Sequence, residues 1–160
     1  MKEKTYVFRL SGRIDEIMYQ RFFVFCKQLD KDAKNVYLYI MSSGGDLGWA
    51  TKIIDLMHKT PVAFNTIAYT KVHSAAIPIF ASGSVRAAKK GRDTFLFHEP
   101  KIKDEDILEF SRIDAKQNFI QYLTEITGTH NSVISTLIVE KTYLTSEQAK
   151  DINLVNYLIP

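Results

Sequence analysis

The run Val36 to Met41, reading VYLYIM, constrains this chain more than any other stretch. Residues so rich in Val, Tyr and Ile read as a buried strand, and Ser42-Ser43-Gly44-Gly45 ends it at once. Leu47, Ala50, Ile53, Ile54 and Met57 follow at helical spacing, so a helix is expected from Asp46 to His58. A strand, a glycine pair and a helix make a turn whose backbone N–H groups approach a bound group closely. The same order returns downstream: Val62 to Ala68 reads as a strand, Tyr69 to His73 as a polar break, and Ala75 to Ala81 as a short helix of small apolar residues. Strands alternating with helices specify an α/β fold with a mostly parallel sheet covered by helices.

The second unit places Ser74 at a strand-to-helix junction. There the first N–H groups of the helix are unpaired and its dipole favours negative charge, so an oxyanion can form beside a serine nucleophile. Pro78 is no obstacle, because near the first turn its missing N–H costs little. The plain alternative is that Ser74 only caps the helix. After Gly83 the chain runs through Ser84 to Lys89, turns at Lys90-Gly91-Arg92-Asp93, and enters an apolar strand, Thr94 to Phe97, which ends on His98. The plain reading of His98 is a strand-end histidine with a backbone partner.

Three motifs combine: Ser42-Ser43-Gly44-Gly45, Ser74 thirty residues after Gly44, and His98-Glu99-Pro100 beginning twenty-four residues after Ser74. Together they resemble the Clp protease proteolytic subunit family, which has a Ser-Pro-Gly-Gly turn, a nucleophilic serine and a His-x-Pro at similar spacings. Ser43 stands in place of the proline. The resemblance runs from Tyr6 to Ile159. It implies the spiral of strand-strand-helix units shared by the Clp and crotonase proteins, with a long handle-type helix. It also implies a serine peptidase that hydrolyses peptide bonds through an acyl-enzyme. In that reading Ser74 is the nucleophile, His98 the general base, and the N–H groups of Gly45 and Ala75 form the oxyanion hole. Substrates would be peptides or unfolded proteins, the assembly a homo-oligomeric ring, and the partners an unfoldase ATPase or a paralogous subunit. The sequence opens on its first strand, so the family's N-terminal axial-loop segment is expected to be missing. The family's glycine-rich strand before the handle helix is cut to Lys101-Ile102-Lys103.

A serine hydroxyl is a weak nucleophile without a base, and the base needs a third group to orient it. Counted without a gap from Thr127-Gly128 to Tyr143-Leu144-Thr145, the family's aspartate falls on Lys141. A charged lysine cannot accept the imidazole N–H. Glu140 next to it is the carboxylate expected to serve; a backbone carbonyl is a second orienter, and a buried, neutral Lys141 acting as base a third arrangement.

Of 160 residues, 46% are hydrophobic, enough for one globular domain over residues 1–160. A net charge of +3 without a basic stripe argues against nucleic acid as a partner. No histidines and carboxylates stand at metal-ligand spacing and no phosphate-binding Gly-rich loop is present, so neither metal nor cofactor is expected. Cys26, the single cysteine, excludes an internal disulfide, is expected to be buried, and fits the reducing cytoplasm. Neither a signal peptide nor a membrane span is read.

The remaining elements follow from periodicity and caps. Tyr6 to Leu10 is a strand. Ile14 to Leu29 is a helix capped by Asp15, its apolar side formed by Ile17, Met18, Phe22, Phe25, Cys26 and Leu29. A long amphipathic helix runs from Asp104 to Thr127 and stops at Gly128. Asn131 or Ser132 caps a short helix reaching Val139, and Thr145 with Gln148 forms a capping box for Ser146 to Ile152. Leu154 to Ile159 closes the chain as a strand or arm. His73 is expected to point away from the site and His130 to lie on the surface.

Two other readings fit parts of the sequence. Lys141 supports a catalytically impaired Clp-like structural or regulatory subunit. A crotonase-type acyl-CoA enzyme would share the paired N–H geometry but use carboxylates rather than Ser74 and His98. The Val72-His73-Ser74-Ala75-Ala76 segment does not match the Gly-x-Ser-x-Gly of α/β-hydrolases.

Overall fold

The computed structural model describes residues 3–99 and 109–160. Its elements in chain order are β1 (Tyr6–Ser11), α1 (Glu16–Lys27), β2 (Asn35–Ser42), α2 (Leu47–Lys59), β3 (Ala63–His73), α3 (Ala76–Ala81), β4 (Arg86–Lys89) and β5 (Phe95–Leu96), followed by α4 (Glu109–Thr127), α5 (Asn131–Val139), β6 (Tyr143–Leu144), α6 (Ser146–Asp151) and β7 (Tyr157–Ile159). The strands form one sheet in the order β1-β2-β3-β4-β7, each parallel to its neighbours. At the far end of β3, β5 adds in parallel and β6 pairs antiparallel with β5.

The period of two along β2 decides which face is covered. Val36, Leu38, Ile40 and Ser42 are buried, whereas Tyr37 and Met41 are exposed. The buried face meets α1 through Phe22, whose ring lies 5.2 Å from Phe8 and 5.7 Å from Phe64. Burying one such side chain contributes about 1.5–3 kcal/mol. Helix starts follow the caps: Asp15 accepts from the Met18 N–H at 2.9 Å and Asp46 from the Trp49 N–H at 3.0 Å. Ile17 departs from the expected apolar side at 71% exposure, since Met18 and Phe22 fix which side of α1 faces the sheet.

The polar break expected at Tyr69 to His73 is part of one unbroken strand. The β2 register shifts between Ile40 and Ser42, and beyond it β3 acquires β5 as a second neighbour, with Val72 opposite Phe95 and His73 opposite Leu96. Tyr69, Thr70 and Lys71 are polar because they are exposed, while their backbone remains extended. A second correction concerns α5, which is capped by His130 rather than by Asn131 or Ser132; its Nδ1 accepts from the Ser132 N–H at 3.2 Å. The Thr145/Gln148 capping box is present, and the closing segment is a strand paired with β4. The expected helix start at Asp104 and the Lys101-Ile102-Lys103 segment lie outside the described residues. Among the described residues no helix is long and apolar enough to cross a membrane.

Candidate active site

Ser74 joins β3 to α3 in the left-handed region, at φ 53°. Two backbone bonds hold it there: its N–H donates to the Leu96 carbonyl at 2.9 Å, and its own carbonyl accepts from the Ile77 N–H at 2.9 Å. A non-glycine residue pays about 1–2 kcal/mol for this conformation. Ser74 is not the cap of α3; that position belongs to Ala75, which has no hydroxyl. The Ser74 hydroxyl takes no hydrogen-bond partner among the described residues and lines a cleft of about 580 Å³.

The Gly44-Gly45 turn forms another wall of this cleft. Both glycines have positive φ, 97° and 156°. A Cβ on Gly44 would lie 2.9 Å from the His73 carbonyl oxygen and from Ser74 Cβ, so the turn packs directly on the end of β3. A Cβ on Gly45 would collide with the Ile14 backbone. The Gly44 N–H donates to Ser42 Oγ at 3.0 Å. Ile14 bonds the Gly44 carbonyl and the Asp46 N–H, at 3.0 and 2.9 Å. Because successive residues of an extended chain direct their polar groups to opposite sides, the N–H of Gly45 points away from Ile14. Neither it nor the N–H of Ala75 takes a partner among the described residues.

His98 follows β5 and lines the same cleft. Its Nδ1 is 2.8 Å from the Glu99 carbonyl oxygen. A carbonyl only accepts, so Nδ1 carries the proton, and in the neutral ring Nε2 holds the basic lone pair. Among the described residues no hydrogen bond joins the Ser74 hydroxyl to this imidazole, although both line the cleft.

The β5–β6 register carries on past the ladder, since the Phe97 N–H donates to the Thr142 carbonyl at 2.9 Å. Leu96 opposes Tyr143, and the same antiparallel count brings Lys141 opposite His98. Lys141 is exposed with φ 48°. Glu140 is exposed at the C-cap of α5 and is not part of the cleft wall. Glu99 pairs instead with Lys116 of α4 at 2.8 Å. That hydrogen bond and charge, with Lys141 further off, hold the Glu99 carboxyl below the usual carboxylate range.

His73 packs edge-on against Tyr143, ring centres 5.7 Å apart, and does not line the cleft. Burial, then the charges of Lys71 and His98, lower its pKa. Sequence reasoning passed over three charged residues of the cleft, Arg13, Asp46 and Lys71. The only signal available was position: each sits at the end of a strand or in a turn beside Ser74 or Gly45.

Solved structures share this fold. The catalytic domain of the ClpP protease from Plasmodium falciparum superposes with a TM-score of 0.86 at 20% identity, covering 96% of this chain and 85% of that one. A mutant of ClpP1 from Listeria monocytogenes superposes at 0.87 with 20% identity, covering 97% and 90%. At such identities the likeness speaks for the fold. The sequence of residues 3–160 matches the Clp protease family, and the chain belongs to that family.

Proposed function

We propose that this chain is a Clp-type serine peptidase acting on peptides or unfolded chains within a homo-oligomeric ring. One observation carries the reading: a strained serine at a strand-to-helix junction, an imidazole, and the Gly44-Gly45 turn line one cleft. Ser74 Oγ attacks the substrate carbonyl carbon as its proton passes to His98 Nε2. The resulting oxyanion accepts from the N–H groups of Gly45 and Ala75; losing one such donor costs about 3–4 kcal/mol of barrier. The imidazolium then protonates the leaving amine and the C–N bond breaks. Water, deprotonated by His98, releases the acyl group from Ser74 and restores the serine.

The orienting role falls to the Glu99 carbonyl, which fixes the tautomer in which Nε2 is the base. Glu140 is too exposed to be favoured for it. The test is labelling by a fluorophosphonate. The unmodified chain should be labelled, Ser74→Ala should not, and Glu140→Gln should be labelled at the unmodified rate. Loss of labelling in Glu140→Gln would return the role to that carboxylate.

A second reading, an impaired subunit that supports an active paralogue, draws on the Lys141 position opposite His98 and on the absence of a Ser74–His98 hydrogen bond among the described residues. An unmodified chain that is folded, assembled and unlabelled would favour it.

A further inference from the structure

The described wall of the cleft carries several charged side chains. Among the described residues Met41 is the one large apolar side chain on that wall. Among the described residues its charged side chains are two cations and one carboxylate: Arg13 after β1, Lys71 on β3 three residues before Ser74, and Asp46. The Asp46 carboxylate is engaged at the head of α2, where Oδ1 accepts from the Trp49 N–H. Neither Arg13 nor Lys71 forms an ion pair among the described residues. Both are exposed.

We propose that Lys71 and Arg13 are specificity-determining residues that select peptides bearing a carboxylate close to the bond presented to Ser74. The proposal deepens the peptidase reading and rests on it. A carboxylate in the cleft accepts charge-assisted hydrogen bonds from an ammonium on one side and a guanidinium on the other. Its amide isostere has the same shape but neither the charge nor the second acceptor oxygen. An apolar side chain would strip water from both cations and, among the described residues, meet Met41 as its one large apolar contact. Lys71 also belongs to the polar stretch of β3 whose composition disguised the strand, so its sequence character has a use in the site.

Binding, rather than turnover, tests this. Fluorescent peptides with amidated C-termini, matched pairs carrying Glu or Gln at each position in turn, are titrated into the full-length Ser74→Ala chain and read by anisotropy. A third set carries Gln throughout with a free C-terminus, which separates a side-chain carboxylate from a terminal one. The expected result is at least about tenfold tighter binding of one carboxylate set over the amides, weakening as salt screens the cations. Lys71→Gln should abolish most of that preference, Arg13→Gln should reduce it, and Lys71→Glu should reverse it toward Lys-bearing peptides. Equal binding of carboxylate and amide peptides, or binding of neither, overturns the proposal. Fluorophosphonate labelling of the unmodified chain, with a neutral probe, reports on Ser74 separately, so failure of the nucleophile and failure of the charge selection give different results.

Discussion

Ser74 is held at φ 53° by the Leu96 carbonyl and the Ile77 N–H, and its strain belongs to the backbone rather than to the hydroxyl. Removing the hydroxyl alone therefore leaves the strain in place, whereas glycine, which enters the left-handed region freely, relieves it. Ser74→Gly is expected to be about 1 kcal/mol more stable than Ser74→Ala in urea unfolding, with both unlabelled by fluorophosphonate. Equal stability would mean the turn relaxes around alanine. Lys141 supports a second expectation. The Glu99 carbonyl orients His98 but brings no negative charge to steady the imidazolium that forms during attack. A carboxylate opposite His98 supplies it, and Asp tolerates the φ of 48° at this position better than Lys does. Lys141→Asp should label at least about tenfold faster, equivalent to about 1.4 kcal/mol; a slower rate would show that Lys141 itself serves the site. Ser74, His98 and the glycine turn were legible because each motif needs a particular residue type at a junction. The left-handed φ of Ser74 and the Nδ1 bond to the Glu99 carbonyl were not, because backbone geometry leaves no mark on residue identity there.

Elements were legible in proportion to their burial. β2, the caps Asp15 and Thr145, and the start of the second helix at Asp46 could be read directly, since a buried face forces the period of two and an unpaired N–H calls for a side-chain oxygen. The far half of β3 could not, because its exposed residues carry no apolar pattern and its β5 neighbour arrives from later in the chain. His73, the last residue of β3, ties that half to β6 through Tyr143. Burial, with the charges of Lys71 and His98, holds its pKa below the ordinary 6.5. The unfolded chain therefore binds this proton more readily than the folded one. The contribution to stability is full above pH 6.5 and falls as pH drops below that value toward the depressed folded pKa. In matched urea titrations, His73→Phe, which keeps the packing on Tyr143, should lose less stability than the unmodified chain over that interval. Parallel curves for the two proteins would remove His73 from the acid response.

Among the described residues the sheet has one covered face and one uncovered one. α1 packs on the face of Phe8 and Phe64 through Phe22. On the other, Val7, Tyr37, Met41 and Tyr69 are 44, 38, 44 and 44% exposed, Tyr39 stacks on Tyr69 at 5.9 Å, and Arg9 lies 5.6 Å above the Tyr39 ring. Sheets built from parallel strands are normally buried on both faces, and a contiguous apolar and aromatic surface of this kind in water invites a partner. Under the ring reading that partner is a second copy of the chain. The protein should then sediment as a multiple of its 18.4 kDa chain mass at micromolar concentration. The double variant Tyr37→Lys with Tyr69→Lys places charge on the uncovered face without touching the buried one, so it should shift the species toward a single chain while the far-ultraviolet spectrum and unfolding midpoint of the chain itself are kept. A protein that sediments as one chain before any substitution would take the ring away and leave the cleft open to solvent, without neighbouring subunits to restrict its substrates.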